Sequence, residues 1–193
     1  MRSLSVSGLV VSIVLLPLSL GIAVTDHNRR GANQERRLAD AAESHAAALD
    51  ATFLRARTIT LVTAHNAAFR ELYTHPGSRR SKVRKGSPYV AAANDSLRYL
   101  ETLFPRSIGE VCFIDRSGAE NARVVHGRAA PVSELTADES GNPFFFPTFA
   151  LRPGHVFQSH PYVSPDTHDW VVGNATALPL GRGASPAIVH YEL

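Results

Sequence analysis

Hydrophobic and polar positions divide the chain into three parts. Residues 4–24 are uncharged and mostly apolar, residues 26–73 repeat apolar positions at helical spacing, and from residue 108 onward short apolar runs alternate with turn sequences. About 20 such apolar residues suffice to cross the hydrocarbon core of a bilayer. We therefore expect residues 1–25 to be a transmembrane anchor. The alternative is a cleaved signal peptide, whose apolar core is usually shorter.

The second part predicts a long stalk helix over residues 26–74. Apolar residues from Leu38 to Ala56 recur at spacings of three and four, which lines one face of a helix. Proline is absent from residues 26–73, and good helix formers dominate. Because the first half of the stripe is rich in alanine, two stalks can approach closely, and we expect a homodimer through the stalk helix.

The third part predicts an α+β domain over residues 75–193. A second helix is expected from Tyr89 to Phe104, with Pro88 near its first turn. Short apolar runs bounded by turn residues then predict strands at 110–115, 121–126, 155–163, 170–178 and 187–191. Helices followed by strands in this order indicate a five-stranded antiparallel sheet with flanking helices.

Composition narrows the classes of function. The single cysteine, Cys112, excludes an internal disulfide and a multi-cysteine zinc site, and its apolar surroundings predict a small buried side chain. Five basic residues fall within residues 79–85, and without them acidic residues outnumber basic ones. This local basicity is typical of a solvated loop, or of a contact with an anionic lipid or ligand. We expect no nucleic-acid partner.

No catalytic or metal-binding motif is apparent in the sequence. It has no paired histidines at metal-ligand spacing, no nucleophile elbow and no glycine-rich phosphate loop, so neither a cofactor nor a metal is expected. The chemically richest segment is residues 157–176, where two predicted strands meet through a polar turn. Ser164, Asp166 and His168 in this turn leave a small exported hydrolase as a minor alternative.

Three segments in this order resemble extracytoplasmic Cache sensor domains, which have a PAS-like fold. They are Asp115–Arg123 (DRSGAENAR), Asn142–Phe146 (NPFFF) and Tyr162–Thr176 (YVSPDTHDWVVGNAT). Together with the membrane pass and the stalk, the resemblance covers about residues 25–193. Within this family, the chain is similar to the membrane-distal half of the double-Cache regions that precede diguanylate cyclase or histidine kinase modules.

The resemblance implies a ligand pocket over the concave face of the sheet, and a small molecule such as an amino acid or a carboxylate as ligand. Tyr162, Asp166, His168, Trp170 and Arg123 are the candidate ligand-binding residues. Tyr162 and Trp170 are expected to form a pocket wall, or else to be core aromatics. His168 stands where some amino-acid-binding members have arginine, and histidine cannot supply the bidentate fork of arginine.

The expected function is that of a sensor and not of an enzyme. The resemblance implies a single-pass protein of the inner (cytoplasmic) membrane whose soluble domain is extracytoplasmic and binds a small molecule for signal transduction. We expect the output module to be absent from this chain. A truncated or degenerate receptor fragment without ligand binding is the alternative.

Overall fold

The computed structural model describes residues 3–104, 107–152, 154–180 and 186–193, and for residues 3–19, 22 and 23 it describes the backbone without the side chains. The chain forms two compact units, Met1–Thr52 and Phe53–Leu193. Among the described residues, no helix is long and apolar enough to cross a membrane. The predicted anchor, residues 1–25, falls mostly on residues whose side chains are not described, and it stays a prediction.

The helical elements largely follow the sequence pattern. The α-helices are α1 (Ser3–Ala64), α2 (Ala67–Thr74), α3 (Arg79–Lys82), α4 (Pro88–Leu103) and α5 (Phe145–Ala150). The stalk region is helical as predicted, but a single helix to residue 74 is wrong. The side chain of Asn66 accepts a hydrogen bond from the Ala68 N–H at 3.0 Å and so caps a new helix, α2. The second predicted helix is confirmed as α4.

The α+β class and the antiparallel sheet are confirmed, but the main sheet has six strands and not five. The strands are β1 (Glu110–Asp115), β2 (Glu120–Val125), β3 (Arg128–Ala129), β4 (Val156–Gln158), β5 (Tyr162–Val163), β6 (Trp170–Val171), β7 (Gly173–Ala177) and β8 (Ala187–Glu192). The sheet order is β3-β2-β1-β8-β7-β4, and β5 and β6 form a separate two-stranded ribbon. The predicted strand 155–163 divides at Pro161, which has no N–H to continue a ladder.

One face of the sheet packs on the helices and carries the main apolar core. We call it the helix face. Phe113 on β1 is fully buried there, and its ring lies 5.1 Å from that of Phe69 on α2. The buried core residues that share this face or the helices against it are Val111, Ala122, Val124, Val189, Tyr191, Leu72, Val90, Ala93, Leu97 and Leu100. Because the helices cover this face, any ligand pocket on the sheet must lie on the opposite one.

Candidate functional site

The opposite face of the sheet buries polar side chains, and we call it the polar face. Successive strand residues point to opposite faces, so Glu110 and Cys112 on β1 lie on the side away from Phe113. On the neighbouring strand, β8, His190 and Glu192 lie on the same side, with Cys112 and His190 directly opposite each other. All four of these polar-face residues are at most 4% exposed.

A β-bulge adds two more charged residues to the polar face. Glu120 and Arg123 on β2 are three residues apart, so simple alternation would put them on opposite faces. The register shifts between Phe113 and Ile114, which pairs Ile114 with Glu120 but Cys112 with Arg123. The extra residue therefore brings both charges to one face. Their side chains form an ion pair, with Arg123 Nη1 3.4 Å from Glu120 Oε2.

Arg123 also joins the sheet to the segment that lies over it. Residues 162–171, comprising β5, the turn after it and β6, are the cover segment. Arg123 Nη1 donates to Asp166 Oδ1 of this segment at 3.1 Å, and Nη2 donates to the Glu134 carbonyl oxygen at 2.7 Å. The Arg123 side chain is 9% exposed and that of Asp166 is 30% exposed. The contact between them is therefore a partly desolvated ion pair.

A second link to the cover segment runs through Tyr162. Its hydroxyl donates to Glu192 Oε1 at 2.8 Å and lies 3.4 Å from His190 Nε2. Gly173 on β7 leaves room for this side chain, since a Cβ there would lie 3.1 Å from the Tyr162 hydroxyl oxygen. The ring of His190 is stacked on that of Phe144, with centroids 3.6 Å apart.

The polar face holds more acid than base. Burial raises the pKa of Glu110 to about 9, and the nearby carboxyl groups of Glu192 and Asp166 raise it as well. Burial also raises the pKa of Glu120 to about 7, despite the hydrogen bond from Thr136 and the charge of Arg123.

Burial also shifts the pKa values of Glu192 and His190, in each case towards the uncharged form. The pKa of Glu192 is raised, although hydrogen bonds with Ser164 and Tyr162 oppose the shift. Burial lowers the pKa of His190 to about 3, so that its ring is neutral at pH 7. Among the described residues, Arg123 is then the one cation in ion-pair contact with these carboxyl groups.

Several buried polar atoms of this cluster have no hydrogen-bond partner. In the described part of the chain they include Glu120 Oε1, Arg123 Nε and Glu192 Oε2. A buried polar atom without a partner is costly, so such atoms call for an explanation such as a ligand, an ion or a water molecule. Glu120 Oε1 and Glu192 Oε2 are acceptors next to an excess of carboxyl groups, so they indicate a place where a positively charged group fits, whereas Arg123 Nε needs an acceptor.

The five residues predicted from the sequence fall into two groups. Arg123, Asp166 and Tyr162 meet at the polar face, whereas His168 and Trp170 are exposed, Trp170 to 76%. A common wall of Tyr162 and Trp170 is wrong, because Trp170 pairs with Val163 across the ribbon and therefore lies on the face away from Tyr162.

Trp170 lines a different feature, an open groove of about 820 Å³ at one end of the central strands of the sheet. Thr167, Asp169 and Glu101 also line this groove. Ser164, the candidate nucleophile of the hydrolase alternative, is buried, and its side-chain oxygen accepts hydrogen bonds from the Asp166 and Thr167 backbone N–H groups.

Sequence reasoning did not single out Glu110, Glu120, His190 or Glu192. Cys112 is buried as predicted, but it donates to Glu110 Oε1 at 3.1 Å and is not in a purely apolar environment. A signal was present in the alternation of polar residues along β1 and β8, each of which has a charged or polar residue at every second position near one end.

By sequence, no protein-family model and no curated protein matches the chain. Solved structures do match it. One is the extracellular domain of the histidine kinase vpHK1S-Z8, at TM-score 0.53 and 12% identity, covering 71% of this chain and 49% of that one. Another is a domain of a sensory box/GGDEF family protein from Vibrio parahaemolyticus, at TM-score 0.53 and 13% identity, covering 70% and 51%.

A weaker likeness is to the isoleucine-bound sensory domain of the Campylobacter jejuni chemoreceptor Tlp3, at TM-score 0.47 and 11% identity, covering 75% of this chain and 60% of that one. The chain spans about half the length of the first two structures. The predicted resemblance is confirmed at the level of the fold, which is that of extracellular, Cache-like sensory domains.

Proposed function

We propose that this chain is a sensor domain that binds a small molecule carrying a positively charged group, between the polar face of the sheet and the cover segment. The observation that carries the proposal is the ion pair between Arg123 and Asp166, which joins the two sides of that site at 3.1 Å. The fold that the chain shares with extracellular sensory domains supports a sensory role over a catalytic one.

Charge favours an amine or an amino acid over a simple carboxylate as ligand. Glu110, Glu120, Glu192 and Asp166 surround the site, and Arg123 already interacts with two of them. A carboxylate would enter against this excess of acid and would need a cation to itself. An ammonium group would instead find carboxyl oxygens, including the unpaired Glu192 Oε2.

Signalling would follow from a competition at Asp166. An ammonium group that binds Asp166 weakens its attraction to Arg123, so the ligand favours one position of the cover segment over another. A ligand shifts such an equilibrium only by its difference in affinity for the two states. Arg123 lies on β2, whose other face contacts the helices through Val124, so a shift of this strand reaches the helical side of the domain.

We further propose that the chain is a single-pass protein of the inner membrane, with residues 1–25 as anchor, an extracytoplasmic sensor and a homodimer along the stalk. The apolar run at residues 4–24 supports the anchor. Leu38 and Leu49 of the predicted seam are 65% and 58% exposed on α1, which leaves them available to a second stalk helix. Crosslinking of a Leu38→Cys variant that also carries Cys112→Ala tests the dimer in membranes.

The ligand proposal is tested by thermal melting of the full-length chain with three sets of probes: L-amino acids, aliphatic amines and dicarboxylates. A ligand at 100 times its dissociation constant stabilises the native state by about 2.7 kcal/mol. For a domain of this size that corresponds to a rise in melting temperature of roughly 5–10 °C. We expect a rise with a member of the first two sets, and none with dicarboxylates.

Variants locate the binding site. Asp166→Asn should abolish the rise, whereas Asp169→Asn, the matched change in the same turn, and Trp170→Ala should keep it. A rise that is lost in Trp170→Ala and kept in Asp166→Asn would place the ligand in the open groove instead. The absence of a rise with every probe would favour a receptor fragment without ligand binding.

A further inference from the structure

Four potential metal ligands meet on the polar face. The donor atoms of Glu110, Cys112 and Glu120 all lie within 4.8 Å of one another, and each of these residues is buried. His190 joins them from β8, with its Nδ1 3.5 Å from Cys112 Sγ. The cluster therefore offers two carboxylates, a thiol and an imidazole, drawn from three adjacent strands.

The separations suit a common ion. Around a tetrahedral centre with bonds of roughly 2.0–2.3 Å, neighbouring donor atoms lie about 3.3–3.8 Å apart. Cys112 Sγ is 3.1 Å from Glu110 Oε1 and 3.5 Å from His190 Nδ1, so the thiol is near that spacing from both of these donors.

Glu120 supplies an unused ligand atom. Its Oε2 accepts a hydrogen bond from the Thr136 N–H at 2.7 Å, which holds the carboxyl group in place. Its Oε1 is buried without any hydrogen-bond partner, and the residue is 0% exposed. One oxygen of this carboxyl group is thus held by a hydrogen bond, and the other is unpaired. Carboxylate metal ligands have the same arrangement, with one oxygen on the metal and a supporting hydrogen bond.

The surroundings also hold the imidazole ligand. The stacked ring of Phe144 and the hydroxyl of Tyr162, 3.4 Å from His190 Nε2, contact His190 on the sides away from Cys112. These contacts leave His190 Nδ1 facing Cys112 Sγ, where it can bind a metal ion.

We propose that Glu110, Cys112, Glu120 and His190 form a binding site for a divalent transition-metal ion of the zinc class. Thiol, imidazole and carboxylate donors together favour Zn²⁺ or Co²⁺ over Mg²⁺ or Ca²⁺, which prefer oxygen alone. The ion would supply the positive charge that the buried carboxyl groups lack. The site shares Glu110 and Glu120 with the surroundings of the proposed organic ligand, and Glu120 is ion-paired with Arg123. It does not use Asp166, so an Asp166 variant separates the two proposals.

The test is a Co²⁺ titration of the untagged full-length chain, stripped with a chelator and kept reduced. A thiolate ligand gives Co²⁺ a sulfur-to-metal charge-transfer band in the near ultraviolet, which exposed histidines elsewhere in the chain cannot give. We expect this band to saturate at one Co²⁺ per chain and to disappear on addition of Zn²⁺. Glu120→Gln should weaken Co²⁺ binding by at least about tenfold.

Two further variants, one at a cysteine and one at a serine, test whether the thiol of Cys112 gives the band. Cys112→Ala should lose the band, and Ser164→Ala, a nearby buried change outside the ligand set, should keep it. The absence of a charge-transfer band in the wild-type chain would overturn the proposal, whatever the variants do. An unchanged band in Cys112→Ala would also overturn it. Asp166→Asn should keep the band while losing the response to amines, so the failure of one proposal is distinguishable from that of the other.

Discussion

Replacing Phe113 by alanine tests whether the helix face, and not the polar face, carries the stability of the domain. Phe113 is 0% exposed, and its ring is 5.1 Å from that of Phe69. Removing a buried phenylalanine side chain costs about 3–5 kcal/mol, of which the ring contact accounts for about 0.5–1.5 kcal/mol. At about 2–4 °C per kcal/mol, the melting temperature should fall by roughly 6–20 °C.

Urea denaturation and thermal melting followed by circular dichroism measure this loss. Phe146→Ala is the matched control, because Phe146 is 67% exposed and should cost at most about 1 kcal/mol. The double variant Phe69→Ala, Phe113→Ala should lose less than the two single losses added together, since each side chain contacts the other. Equal losses for Phe113→Ala and Phe146→Ala would refute the assignment of the core to the helix face.

Two further predictions concern the polar face and the groove. Gly173→Ala places a Cβ 3.0 Å from His190 Nε2, so it should destabilise the domain by about 1–3 kcal/mol in urea denaturation. Gly141→Ala, whose Cβ would have no atom within 4 Å, should not destabilise it. Equal effects of the two variants would contradict this prediction. Burial raises the pKa of Glu101, so its favourable contribution is present below its usual pKa and is lost as pH rises through the native pKa. Glu101→Gln should therefore gain stability relative to wild type as pH rises above the usual pKa of glutamate, unlike the exposed control Glu71→Gln, and a difference independent of pH would disprove it.

The sequence predicted well those elements of the fold that local patterns determine. It predicted less well those that depend on pairing with distant residues. The apolar run of β1 and the proline at the start of α4 determine those elements within a few residues, so both were predictable. The short strand Arg128–Ala129 was not predicted, because two residues carry no periodicity of their own and depend on pairing with β2. The ribbon of β5 and β6 was merged with its neighbours for a related reason, since each has two residues and continues an apolar run.

The candidate site was predictable only where one segment contains its residues. The polar turn that contains Asp166 was identified from its own composition, whereas the pairing of Cys112 with His190 joins residues 78 positions apart. The bulge at Asn121 is harder still to foresee, because simple alternation sends Glu120 to the face opposite Arg123. That one extra residue assembles the acidic site, since without it Glu120 would face the apolar helices. A buried charge without a partner there would cost several kcal/mol, so the bulge is what keeps the Glu120 carboxyl group on the face that holds its partner, Arg123.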